Sequence, residues 1–116
     1  MSEFVGAQPF FNDAVAGAAV QVKADAGFIH ALHLVNTTDQ PAYLQIFDLL
    51  AASVTLGTTV PKWVVRLAAN ESLTLPLHRP LALGKMGSAN AGISFAGTTS
   101  AGGSAPATIS VSALYE

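Results

Sequence analysis

The chain has 116 residues, a formal net charge of −2, no cysteine, and only 10% charged residues against 51% hydrophobic ones. A soluble domain usually carries about a quarter of its residues as charges, so this composition cannot provide a surface that is polar throughout. Disulfides and thiolate metal sites are excluded, and the apolar stretches are shorter than the roughly 20 residues that cross a bilayer. The five basic residues are scattered, whereas nucleic-acid binding needs a basic stripe. We therefore expect one domain that works by assembly, with neither nucleic acid nor a membrane as its partner.

Residues 1–16 differ from the rest of the chain. They show neither helical nor strand periodicity, and they contain three of the six phenylalanines: Phe4, Phe10 and Phe11. We predict an N-terminal arm over residues 1–16 that becomes ordered only against another surface, followed by a β-sandwich domain over residues 17–116. A frayed terminus is the alternative. The segment also lacks the basic flank and apolar run of a signal peptide.

The first half of the domain alternates in polarity between turn residues. Residues 19–24 form the first predicted strand, and residues 28–35 form the second. Regular alternation assigns four residues of the second strand to one face, namely Phe28, His30, Leu32 and Leu34. A turn at residues 36–41 leads to a third strand over residues 42–50. A helix over residues 42–53 is rejected because its apolar residues would surround the whole cylinder.

The second half continues the same pattern of short runs between turns. Its predicted strands are residues 63–68, 72–77, 90–96 and 107–115. The connections between strands are residues 51–61, 69–71, 84–88 and 97–106. Pro76 and Pro80 predict that the strand beginning at residue 72 lies at a sheet edge or ends early. Residues 81–83 form a further short element.

Seven or eight short strands without a convincing helix predict an all-β fold. A chain of this size hides its sheet faces by packing two sheets together, so we predict an antiparallel β-sandwich. With about eight strands, such a sandwich is a jelly roll.

No pattern of residues predicts catalysis, a metal or a cofactor. His30 and His33 form an H-x-x-H pair, but residues three apart in a regular strand point to opposite faces, and His78 is distant. The chain has no G-x-S-x-G sequence, and residues 84–88 lack the Gly-Lys-Ser/Thr order of a phosphate loop. The seven carboxylates show no spacing typical of an acid–base pair. We therefore expect a protein that is not an enzyme.

The candidate functional residues are those suited to a protein interface. Aromatic residues and arginine are favoured there, so we select Trp63, Arg66 and Tyr115 in addition to the three phenylalanines of the arm. Core packing is the competing role for Trp63. Arg66 and Asp48 both lie within predicted strands among apolar neighbours, so they either pair across strands or subunits, or face solvent separately.

Five stretches give the chain a resemblance to a known group of proteins. They are LVNTT at 34–38, AYLQIFD at 42–48, LGTTVP at 56–61, LTLP at 73–76 and VSALY at 111–115. Together they resemble the small jelly-roll decoration, or cement, proteins of tailed bacteriophages and prophages, and the resemblance covers residues 17–116. It implies a structural virion protein on the capsid surface, assembled in the cytoplasm of a bacterial host, that binds the major capsid protein and bridges capsomers. It brings no catalytic residues.

The resemblance leaves the N-terminal arm unmatched. By this interpretation Phe4, Phe10 and Phe11 would grip the capsid or a sister subunit. We expect a homodimer or homotrimer, because exposed sheet edges and apolar faces need cover.

Three other functions stay open. A tail, neck or baseplate component would share the fold and the composition, and only its copy number would differ. A carbohydrate-binding sandwich at a receptor-binding tip would present exposed aromatic residues beside Asp, Asn or Arg, in which the long loops of this chain are poor. A small cupin-like metalloenzyme would share the sandwich but needs clustered histidines.

Overall fold

The computed structural model describes residues 7–84 and 90–116 of the chain. These residues form eight strands and a single turn of 3-10 helix at Ala51–Ser53. The strands are β1 (Gln8–Val15), β2 (Val20–Lys23), β3 (Gly27–Val35), β4 (Ala42–Leu49), β5 (Trp63–Leu67), β6 (Ser72–Leu83), β7 (Ala91–Thr98) and β8 (Ile109–Tyr115). The predicted all-β fold is confirmed.

The strands build two antiparallel four-stranded sheets that pack face to face. The β1 sheet has the order β1-β8-β3-β6, and the β2 sheet has the order β2-β7-β4-β5. Strand β1 therefore pairs with β8, β2 with β7, β3 with β6 and β4 with β5. This nested pairing of first with last is the topology of an eight-stranded jelly roll, and it confirms the predicted β-sandwich.

Alternate residues of the two sheets form the core between them. Leu32 and Leu34 of β3 contribute from the β1 sheet, and Leu44 and Ile46 of β4 contribute from the β2 sheet; all four are at most 1% exposed. Burying a side chain of this size contributes about 1.5–3 kcal/mol. The core thus fixes which face of every strand points inward.

Strand β1 corrects the prediction of an arm over residues 1–16. Its residues pair with β8 from Gln8 opposite Tyr115 to Val15 opposite Ile109, so residues 8–15 belong to the sandwich. Phe10 packs against the core, with its ring edge-to-face on Phe95 at 5.7 Å between centroids. The alternation is hidden in the sequence because apolar side chains lie on both faces of this strand. Phe4 lies outside the described residues.

A β-bulge in β3 corrects the faces predicted for residues 28–35. Ile29 pairs with Tyr115 and Ala31 with Leu114, so β3 has one residue more than β8 at this point. The extra residue is His30, and it reverses the alternation. Ile29 is consequently buried, whereas Phe28 is 45% exposed.

Strand β6 is the other edge of the β1 sheet, as its prolines predict. It does not end early, because the element predicted at residues 81–83 is its final part. The register jumps from Ile29 opposite Leu81 to Ala31 opposite Pro76. Residues 77–80 therefore have no partner in the register with β3.

Replacing Phe10 tests whether β1 belongs to the sandwich. We expect Phe10→Ala to lower the free energy of unfolding by about 2–3 kcal/mol, because it removes a large side chain from the core. The control is Phe11→Ala, since Phe11 is the adjacent residue and is 66% exposed. This control should lower the free energy of unfolding by less than about 0.5 kcal/mol. Denaturant unfolding of the two variants measures both values. Equal effects would contradict the assignment of β1 to the core.

Candidate functional site

The central part of the outward face of the β1 sheet contains no Asp, Glu, Lys or Arg, whereas the exposed Asp13 and the His30–Glu116 pair lie toward its borders. Its three rows across the strands are Pro9, Leu114, Ala31 and Pro76; then Phe11, Ser112, His33 and Thr74; then Ser110, Val35 and Ser72. These residues, here called the open face, alternate with buried residues and therefore point away from the core. The open face contains no Asp, Glu, Lys or Arg, and His33 is its one titratable group.

The centre of the open face is a shallow apolar groove of about 450 Å³. Phe11 and Leu114 stand at its side with exposures of 66% and 37%. Across the groove, His33 Nδ1 and Thr74 Oγ1 form a hydrogen bond of 2.8 Å, which joins β3 to the edge strand β6. The polar groups on this face thus partly satisfy each other, and the groove presents mainly apolar atoms to a partner.

The centre of the outward face of the β2 sheet is covered by the chain itself. Five outward residues of its central strands β4 and β7 are nearly inaccessible: Gln45, Phe47, Ser94, Ala96 and Thr98 are at most 1% exposed. The covering segments are the β4–β5 connection, residues 50–62, and the β7–β8 connection, residues 99–108. Two hydrogen bonds connect these segments to the sheet. The side-chain amide of Gln45 donates to the Gly103 carbonyl (3.0 Å), and the backbone N–H of Ala51 donates to Gln21 Oε1 (3.2 Å). The centre of one outward sheet face is therefore covered, and the centre of the other is open.

The residues selected from the sequence for an interface lie in different places. Phe11 is on the open face. Phe10, Trp63 and Tyr115 are partly buried and pack against the core, so the competing core role of Trp63 is present in the structure. Tyr115 also donates to Gln8 Oε1 at 3.4 Å.

Arg66 is exposed on β5 and lies beside a tyrosine. Its guanidinium carbon is 6.0 Å from the centre of the Tyr43 ring, and its Nε donates to the Tyr43 hydroxyl at 3.3 Å. Arg66 thus contacts its cross-strand neighbour on β4. Among the described residues it forms no ion pair with Asp48, so that pairing within the chain is not observed.

The bulge also overturns the prediction that His30 and His33 point to opposite faces of β3. Ile29 and Leu32 are three residues apart and both point inward, so His30 and His33 both lie on the outward side of β3. His30 Nε2 lies 2.9 Å from Glu116 Oε1, while His33 bonds Thr74. Within residues 7–84 and 90–116, no three His, Cys, Asp or Glu side chains are grouped to hold a metal ion.

A second opening lies between β5 and β6, the last strands of the two sheets. This edge cleft, of about 310 Å³, has an apolar floor of Trp63, Leu77 and Leu81. Lys62 and Arg79 also line it, and both are exposed. The sequence does not predict this site, because Lys62 and Arg79 are separated along the chain and line one opening only when the two sheets pack together.

In the described part of the chain, no helix has the length and apolar character needed to cross a membrane. Comparison with known proteins finds no match among family models, curated proteins or solved structures.

The contrast between the two outward faces can be measured by truncating one phenylalanine on each. Phe47→Ala on the covered face should lower the free energy of unfolding by about 3–4 kcal/mol, because the side chain is fully packed. Phe28→Ala, at an outward position of β3 with 45% exposure, should cost less than about 1 kcal/mol. Thermal or denaturant unfolding gives both values. Similar losses would mean that the loops do not pack on the β2 sheet.

Proposed function

We propose that the chain is a structural virion protein that decorates and stabilises a bacteriophage capsid by bridging capsomers. The observation that carries the proposal is the open face. It is a flat, uncharged, partly apolar surface on a chain that covers its other outward sheet face with its own loops. Contiguous apolar surface of this kind is typical of protein–protein contact.

The size of the open face favours a partner with many repeated sites. Strands lie about 4.8 Å apart and alternate residues about 6.8 Å apart, so the face measures about 20 × 20 Å. Covering it would bury about 800 Å² in total, whereas a stable interface between two proteins buries about 1,200–2,000 Å². One such contact is weak, but an oligomer that makes several of them on one lattice gains affinity by multivalency. A capsid is such a lattice.

Mass action explains how such a protein would stabilise the capsid shell. A protein that binds the assembled shell and not its separate subunits shifts the equilibrium toward the shell. An uncharged contact also keeps its strength when the salt concentration changes, because it has little charge to screen. These two properties suit a cement that acts after the shell has formed.

The long connections do not favour sugar binding. Sugar sites usually place an exposed aromatic residue beside Asp, Asn or Arg, and residues 50–62 and 99–108 contain none of these residue types. A role in the tail, neck or baseplate uses the same type of surface and differs in copy number.

Copy number in purified virions of the encoding phage is therefore the first test. Quantitative mass spectrometry, with the major capsid protein as internal standard, should find near-stoichiometric amounts of this chain, which corresponds to a decorated lattice. A few copies to a few dozen would assign it to the tail or neck, and absence from the particle would overturn the proposal.

A charge placed on the open face tests the surface itself. Ser112→Glu puts a carboxylate at its centre, where a partner would have to desolvate it without a cation, so we expect capsid binding to weaken at least about tenfold. Ser104→Glu in the exposed β7–β8 connection is the control and should bind like the unmodified chain. Co-sedimentation with capsids from the encoding phage measures binding, and denaturant unfolding verifies that both variants fold. Equal binding by the two variants would remove the open face from the contact.

A further inference from the structure

The edge cleft has the chemistry of a binding site for an acidic, apolar segment of chain. Trp63, Leu77 and Leu81 supply an apolar floor, and Lys62 and Arg79 stand beside it. Two of the chain's five basic residues therefore line one opening, and no carboxylate is among the residues that line it. A ligand that fits must bring a carboxylate next to a large apolar side chain.

The backbone around the cleft suits an extended ligand. Strands β5 and β6 are both edge strands, so each has one side without a neighbouring strand. Residues 77–80 of β6 also lack partners in the register with β3. An extended segment can bind along such an edge through its own backbone while its side chains enter the cleft.

We propose that the N-terminal segment of one copy, Glu3-Phe4-Val5, occupies the edge cleft of a neighbouring copy. Residues 1–6 and 85–89 are the two parts of the chain outside the described sandwich. The second of them carries Lys85, which has the same sign as the cleft, whereas the first has Glu3 directly before Phe4. Phe4 is the apolar group for the floor, and Glu3 is the carboxylate for Lys62 and Arg79.

The length of the chain assigns the cleft to a neighbour. Strand β1 is separated from β6 by three strand spacings, or about 14 Å, and the cleft lies on the far side of β6. An extended chain advances about 3.4 Å per residue, so Phe4 reaches about 10 Å from Ala7 and Glu3 about 14 Å. Neither residue has enough chain to cross the sheet and turn around its edge into the cleft of its own copy.

The open face is a poorer site for the same segment. It lies within reach of a copy's own N-terminal segment, but it contains no Lys or Arg. Burying Glu3 there would cost its hydration without a compensating cation. The cleft offers both cations and therefore receives the segment.

A segment of one copy bound in a cleft of the next is a head-to-tail contact. Such contacts close into a ring or continue as an open chain, depending on the rotation between copies. The inference goes beyond the proposed function and does not require a capsid, so it can fail or hold whether or not the chain is found in virions.

Trp63 gives a direct readout, because it is the one tryptophan of the chain and it lies in the cleft. We expect the full chain to self-associate in sedimentation velocity, and Trp63 to become shielded from acrylamide quenching over the same concentration range. Phe4→Ser and Arg79→Gln should each raise the dissociation constant at least about tenfold. The control Lys23→Gln, on the opposite edge strand of the β2 sheet, should leave it unchanged.

Two charge-reversed variants distinguish binding of the segment in a neighbour's cleft from binding in the cleft of its own copy. One chain carries Glu3→Lys, and the other carries Lys62→Glu with Arg79→Glu. Neither should associate alone, because segment and cleft then repel each other, but mixing them should restore both association and Trp63 shielding. Shielding that does not depend on concentration, association unaffected by these substitutions, or failure of the mixture to associate would overturn the proposal.

Discussion

The rest of this structure depends on one constraint, namely that both outward sheet faces must be shielded from solvent or made polar. A sandwich of two sheets has two outward faces, and a chain with 10% charged residues cannot make both of them strongly polar. The chain covers one face with its own connections. There the side-chain amide of Gln45 donates to Thr98 Oγ1 and the Gly103 carbonyl, and Phe47 on the same side of β4 is 1% exposed. The β1 sheet has no such cover in the described residues, so its face is the surface available to a partner.

The bulge at His30 determines what that face contains. With regular alternation, Phe28 and His30 would point into the core with Leu32, and Ile29 would point out. The extra residue instead keeps Ile29 and Leu32 both inside. Ala31 is outward with or without the bulge, opposite Leu114 on one side and Pro76 on the other. One extra residue therefore brings Phe28 and His30 to the outward side of β3, where His30 joins His33.

The sequence predicts the sandwich well because alternation is clear wherever one side of a strand is buried and the other is polar. The strand over residues 107–115 is an example, with Ser110 and Ser112 between core residues. Prediction fails where the two sides are alike, as in β1 with Phe10 inside and Phe11 outside. It also fails at the bulge, because one inserted residue leaves no mark in composition. The edge cleft is beyond sequence reasoning, since Lys62 and Arg79 meet only through the packing of two sheets.

The open face and the edge cleft differ in how a contact at each of them responds to salt. The open face has no charge to screen, whereas contact between a carboxylate and the cations of the edge cleft weakens as salt rises. The open face alone buries too little area to hold one copy firmly. The proposed link between copies through the cleft would multiply the number of open faces that act together, and their combined contact would be much stronger than each one. In the proposed assembly, the uncharged face contacts the lattice weakly, and the charged link between copies makes that contact multivalent.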